Sequence, residues 1–258
     1  MNEAYGSFAY VYDKFMDNVP YREWTDYILG LLKEEGITGG IAADLGCGTG
    51  SVTELMALAG FDMIGIDSSE DMLQVALERR DALMAQSPDI NDILYLNQDM
   101  REFELYGTVS AIVSICDSMN YILEDEELLE VFKLAWNYLD YDGIFVFDMN
   151  TPYKYSEILA DNVFAENRED CSFIWENYFD AASQINEYDL TLFVADGEDG
   201  RFTRYEEFHE QRAYEIKAVG RMLTEAGLTV LHIYDAFTHE APREDSERVY
   251  FVAKKPRN

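Results

Sequence analysis

Apolar residues recur along this chain in two rhythms, and the change from one to the other divides it. Over 21–35, Trp24, Tyr27, Ile28, Leu31 and Leu32 fall at helical spacing and predict an amphipathic helix, which Gly36, Gly39 and Gly40 stop. Short apolar runs then alternate with helical patterns. Strands are expected over 41–45, 63–66, 93–96, 109–115 and 143–147, and helices over 51–59, 68–86 and 126–139. The helix at 68 opens on Ser68-Ser69-Glu70-Asp71, which supplies capping hydroxyls and acids for its positive end. Strands alternating with helices in this way predict a mostly parallel sheet covered on both faces.

After Pro152 the period drops to two. The stretches CSFIWENYFD, INEYDLTLFVAD and RFTRYEEFHEQRAY, set apart by the turn signals DAAS and DGEDG, predict an antiparallel meander. Helix returns over 215–226, closed by Gly227, and two strands follow over 229–234 and 248–253. The division expected is one α/β domain from 1–150 and 213–258, with a flap and helix in 1–35, interrupted by a β insertion over 151–212. In an open α/β sheet, ligands bind beyond the carboxyl ends of the strands. An insertion after the fifth strand would therefore roof the site.

Composition narrows the partners. The chain has 258 residues, with 51 acidic against 19 basic and a net charge of −32. Such a surface repels a phosphate backbone, which argues against nucleic acid. Three cysteines, Cys47, Cys116 and Cys171, form neither a disulfide pattern nor a zinc pattern. No metal site is expected, since no ligand cluster is visible. No apolar run approaches the ~20 residues that span a membrane, and the N-terminus lacks a signal-peptide pattern, so a cytoplasmic protein is expected.

The chemistry concentrates in Ala43-Asp44-Leu45-Gly46-Cys47-Gly48-Thr49-Gly50. A dinucleotide loop needs G-x-G-x-x-G, and here the third glycine's place is taken by Ser51. A phosphate P-loop needs a lysine that is absent, and Asp44 would repel a phosphate. Asp67 ends the second strand about 20 residues on, where a carboxylate can accept both hydroxyls of a ribose. A ribose without a pyrophosphate fits S-adenosylmethionine.

With these motifs in view, the chain resembles the class I S-adenosylmethionine-dependent methyltransferases. DLGCGTG resembles the first family motif, GIDSSEDML the second, NQDMREF the third, and AIVSICDSMNYI the strand and loop beside the methyl donor. Residues 40–150 carry the resemblance most strongly, and 215–258 resemble the last helix and hairpin. Within the family it looks most like bacterial small-molecule methyltransferases. The resemblance implies a doubly wound, mostly parallel, seven-stranded Rossmann-like sheet and S-adenosylmethionine as donor. It also implies roles for particular residues. Gly46, Cys47, Gly48 and Gly50 would form the donor loop, and Asp44 would orient the donor's ammonium. Asp67 would hold its ribose, Met72 and Met100 would pack on adenine, and Asp99 would accept from the adenine amino group. Cys116 and Asp117 would lie beside the methionine portion, and Asn120 and Tyr121 would shape the acceptor side.

Five further candidates come from the residues themselves. Tyr5, Tyr10 and Tyr12 could face a sulfonium through cation–π attraction, with Tyr12 closest to a catalytic role. On a strand, Glu207, His209 and Gln211 share one face, so His209 is the general-base candidate and Gln211 an acceptor contact. The reaction expected is in-line displacement onto a small-molecule acceptor whose attacking atom (N, O or C) is open. A tRNA-modifying enzyme or a non-catalytic donor-binding module would use the same loop. The oligomeric state is not legible in the sequence.

Overall fold

The computed structural model describes Phe15, residues 19–195 and residues 200–257. Helix α1 spans Tyr21–Glu34 and leads into strand β1, Gly40–Leu45. Then follow α2 (Ser51–Leu58), β2 (Phe61–Asp67), α3 (Glu70–Gln86), β3 (Leu94–Asn97) and β4 (Val109–Ser114). The chain continues through α4 (Asp125–Tyr138) and β5 (Leu139–Asn150). These strands join β10 (Thr229–Asp235) and β11 (Arg248–Lys254) in a seven-stranded sheet of order β10-β11-β5-β4-β1-β2-β3. β11 pairs antiparallel with β5 and β10, and the other pairings are parallel. The doubly wound sheet expected from the sequence is therefore present.

Strand periodicity sorts its core into two layers. Ala43, Leu45, Ile112, Phe145, Phe147 and Phe251 pack on α4 and on α5 (Ile216–Glu225), meeting Phe132, Val219 and Leu223. Their neighbours Ala42, Ala111, Val113, Ile144, Val146 and Val252 face α1 and α2, meeting Ile28, Leu31, Leu32, Val52 and Met56. Fully burying a side chain of this size contributes roughly 1.5–3 kcal/mol. Both faces are covered, which is why these strands are almost continuously apolar.

Between β5 and α5 lies a second sheet, antiparallel, of order β6-β7-β8-β9: Val163–Asn167, Cys171–Asp180, Ile185–Ala195 and Phe202–Arg212. A short π-helical turn, Lys154–Leu159, leads into it and has no signature in the period-two pattern. Tyr155 and Leu159 from the turn, with Ala213, Phe164, Trp175 and Phe179, form its own small core. β5 is also longer than expected, starting at Leu139 directly after α4 rather than at Gly143. Asp142, at φ +67°, turns the strand's exposed start, so local polarity concealed it.

Candidate functional site

The chain runs from β1 outward through β2 and β3, then returns to place β4 on the other side of β1. That reversal leaves a crevice beyond the carboxyl ends of β1 and β4. A cavity of about 700 Å³ opens there, lined on one side by the loops after β1, β2, β3 and β4 and on the other by the inward face of the second sheet.

The loop after β1 is shaped by three left-handed glycines: Gly46 (φ +71°), Gly48 (φ +54°) and Gly50 (φ +82°). Each is required differently. A Cβ on Gly46 would meet Ser118 at 2.8 Å, and one on Gly50 would meet the Tyr95 hydroxyl at 2.2 Å. Nothing lies within 4 Å of a Cβ on Gly48, which faces the cavity. Gly50 is not part of the lining; its constraint is the packing of α2 on Tyr95.

Two carboxylates from the ends of β1 and β2 face this loop. Asp67 accepts from the Gly48 N–H and the Ser69 N–H, each at 2.8 Å, one on each oxygen. Each oxygen keeps further acceptor capacity. Burial holds the Asp67 carboxyl above its ordinary range despite these bonds. The cap of α3 is Ser69, whose hydroxyl accepts from the Met72 N–H, so Asp67 is not itself the cap. Asp44 is 2% exposed and accepts from the Thr53 hydroxyl at 2.6 Å. Burial pushes it up to about 7, with Thr53 opposing and the charge of Asp67 adding.

Cys47, Met72, Asp99, Met100, Cys116 and Tyr121 also line the cavity. Both Asp99 oxygens accept from Arg101, whose hydrogen bonds hold this carboxyl below its ordinary range. Burial pushes the Cys116 thiol up to about 12 and raises Cys47 well above the ordinary thiol range. Both are therefore neutral thiols and not activated nucleophiles. Cys116 and Asp117 have φ +64° and +53°, consecutive left-handed non-glycine residues in the loop after β4. Strain of this kind persists only where surrounding contacts fix it.

Those contacts form a network behind the cavity. Asp117 pairs with Arg248 at 2.6 Å and accepts from the Gln211 side chain at 2.7 Å. Arg248 also pairs with the fully buried Asp148, and Gln211 accepts from the Tyr155 hydroxyl at 3.0 Å. Asn120 is fully buried and ties Asn150 to the Arg212 carbonyl. Asp117, Asn120 and Gln211 thus lie behind the lining, joining the two sheets. Tyr5, Tyr10 and Tyr12 lie outside the described residues.

The parity expected for β9 is found: Glu207, His209 and Gln211 point inward while Glu206, Phe208 and Glu210 are exposed. His209 lines the cavity, stacked on Tyr188 with ring centroids 5.0 Å apart and edge-on to Tyr121 at 5.9 Å. Burial holds its imidazole below the ordinary value. The Tyr121 and Tyr188 hydroxyls meet at 2.5 Å. Sequence reasoning missed Phe173, Trp175, Tyr188, Leu190, Leu192 and Glu207 as lining residues. The period-two pattern that turned His209 inward could have found them, had the sheet's facing been known. Among the described residues, no group of three or more His, Cys, Asp or Glu is gathered as a metal site, and no helix is long and apolar enough to cross a membrane.

A methyltransferase domain family matches residues 42–143. A provisionally named methyltransferase of Geobacillus sp. (strain WCH70) is 40% identical over 98% of this chain and 100% of its own length. The crystal structure of an S-adenosylmethionine-dependent methyltransferase from Clostridium acetobutylicum ATCC 824 superposes with a TM-score of 0.86 at 28% identity, covering 98% of this chain and 99% of that one. The sugar N-methyltransferase KedS8 of Streptoalloteichus sp. ATCC 53650 shares the fold at 16% identity, with a TM-score of 0.77 over 95% of this chain and 93% of that one.

Proposed function

This chain belongs to the class I S-adenosylmethionine-dependent methyltransferases, and we propose that it methylates a small-molecule acceptor held between the glycine loop and the second sheet. The observation that carries the reading is a cavity of about 700 Å³ lined by both. Pockets of this size hold drug-sized ligands.

The residues present fit the donor. Gly46 has no room for a Cβ, Gly48 opens into the cavity, and Asp67 keeps acceptor capacity beside it. When bound, S-adenosylmethionine supplies the methyl group on a sulfonium, which is a ready leaving group. The chain's part is alignment and exclusion of water. Asp67 would hold the ribose hydroxyls and Asp44 the ammonium. Met72 and Met100 would cover the adenine, with Asp99 at its edge. Cys116 would pack beside the methionine portion, and Asp117 would hold that loop through Arg248. Tyr121 and His209 face the acceptor, and the neutral imidazole can take a proton from it. The second sheet acts as a roof that sets acceptor choice, with Phe173 and Trp175 keeping water out. A solved relative by fold, KedS8, is a sugar N-methyltransferase, which agrees with a small-molecule acceptor.

The test is calorimetric titration with S-adenosylhomocysteine and NADH, on the native chain and on Asp67→Ala, followed by a mass-spectrometric screen of small amines, phenols and acids. Binding of the first ligand only, weakened in the variant, with a methylated product from the screen, is the expected result. Absence of S-adenosylhomocysteine binding would overturn the reading, and donor binding with no product from any small molecule would overturn the acceptor class.

A further inference from the structure

The inward face of the second sheet carries a carboxylate that no described residue answers. Strand register sets Trp175 opposite Leu190 and Leu190 opposite Glu207, with Tyr188 opposite His209 in the next inward row. Glu207 is 7% exposed and lines the cavity. Its carboxylate makes no hydrogen bond or ion pair with any described residue. The contrast with its neighbours is chemical. Glu166, on the same wall, is paired with Arg168 at 2.5 Å. Arg101, the arginine in the lining, is held by Asp99 and Glu127. The Trp175 indole N–H is also buried without an acceptor.

A carboxylate largely withdrawn from bulk water with no cation beside it is costly, and an apolar residue of similar volume would be more stable there. The position faces away from the scaffold's own networks, so what it serves enters through the cavity. Around it stand aromatic faces whose quadrupoles attract cations. An anionic acceptor would be repelled by Glu207, and a neutral alcohol would leave its charge unanswered.

We propose that the acceptor is an amine on an apolar body, entering as its ammonium ion, and that Glu207 is the counter-ion that binds it within the faces of Trp175, Tyr188 and His209. This rests on the methyltransferase reading above and specifies its substrate class. In the transfer the ammonium gives one proton to the Glu207 carboxylate, which for an amine acceptor serves as the base in place of the His209 imidazole. The freed nitrogen lone pair forms a bond to the methyl carbon while the carbon–sulfur bond breaks, its electrons staying on sulfur. The positive charge passes from sulfur to the methylated nitrogen, and the neutral thioether leaves as S-adenosylhomocysteine. Burial and the charge of Asp71 hold the Glu207 carboxyl above its ordinary range, which suits it to receive that proton.

The experiment titrates the chain, saturated with S-adenosylhomocysteine, with three probes of one shape: phenethylamine, phenethyl alcohol and hydrocinnamate. Phenethylamine is expected to bind roughly ten- to a hundredfold more tightly than the alcohol, the range of one charge-assisted contact, and hydrocinnamate not at all. Glu207→Gln should abolish that preference while leaving S-adenosylhomocysteine affinity unchanged. Glu210→Gln removes the same charge from the exposed face of β9 and should keep the preference. Equal binding of amine and alcohol, no binding of the amine, or a preference that survives Glu207→Gln would overturn the proposal. Loss of S-adenosylhomocysteine binding in the native chain would overturn the donor reading instead.

Discussion

The wall of the cavity contributed by the seven-stranded sheet is made of backbone turns and of side chains at strand ends. The wall contributed by the four-stranded sheet is made of side chains standing on strand middles. In the first, Gly46, Gly48 and Asp67 are fixed by left-handed turns and by N–H groups aimed at a carboxylate. In the second, Trp175, Leu190, Glu207 and His209 are fixed by pairing register and by packing on each other. The first kind of wall tolerates little change of backbone and suits a constant ligand. The second can exchange side chains without disturbing the ladder, and suits a ligand that differs between relatives.

The largest effect is expected at the seam between the walls. Arg248→Met would leave Asp148 buried without its cation and would remove one of the contacts holding the Asp117 loop. A loss of about 3–5 kcal/mol in urea unfolding is expected. A change below about 1 kcal/mol would show that the walls do not depend on this joint.

Next comes the backbone wall. Gly46→Val would drive a Cβ into Ser118 at a φ that β-branched residues avoid. S-adenosylhomocysteine affinity should fall by roughly a hundredfold or more, a loss of about 3 kcal/mol in the strain range of such positions. A fall of only a few-fold would mean that this wall is as adaptable as the other.

The third prediction concerns pH. Asp44 is raised to about 7 from an unfolded value near 3.8, so between those values the folded chain holds a proton that the unfolded chain has released. That stabilisation is complete below the lower value and is lost as pH rises through the upper one. Stability of the free protein should therefore decline from pH ~4 to ~7, and Asp44→Asn should flatten the profile. If the ionised form meets the donor's ammonium, donor affinity should rise over the same interval by up to about tenfold per pH unit. Thermal unfolding and titration at several pH values check both slopes.

The smallest effects should be on the side-chain wall as seen by the donor. Tyr188→Phe removes the partner of the Tyr121 hydroxyl, a change of about 1 kcal/mol in acceptor binding. It should leave S-adenosylhomocysteine affinity within about twofold, a few tenths of a kcal/mol. A larger donor effect would erase the division between the walls.

Much of the backbone wall was legible because turn chemistry is local. A glycine between a short apolar run and a helical pattern, with an acid at the end of the next strand, means the same thing wherever the sheet is placed. Asp44, Gly46, Gly48 and Asp67 could therefore be named together, as could Met72 and Met100. Gly50, Asp117 and Asn120 were assigned to the site from the same motifs, and Gln211 from strand parity, and in the structure they stand in packing and in the network behind the lining. Distance along the chain does not say whether a side chain faces a ligand or a neighbouring strand.

The sequence by itself determined the strand-helix alternation, the doubly wound sheet and the meander after the fifth strand, because hydrophobic periodicity and turn residues act over a few positions. It determined that Glu207 and His209 share a face, because strand geometry has period two. Only the tertiary structure decided that this face looks into the crevice beyond β1 and β4, that Arg248 reaches from β11 to Asp117, and that Glu207 finds no cation among the described residues there. Those outcomes depend on how one sheet docks against another. Docking is set by many weak contacts between residues far apart in the chain, and no short stretch of the sequence contains them.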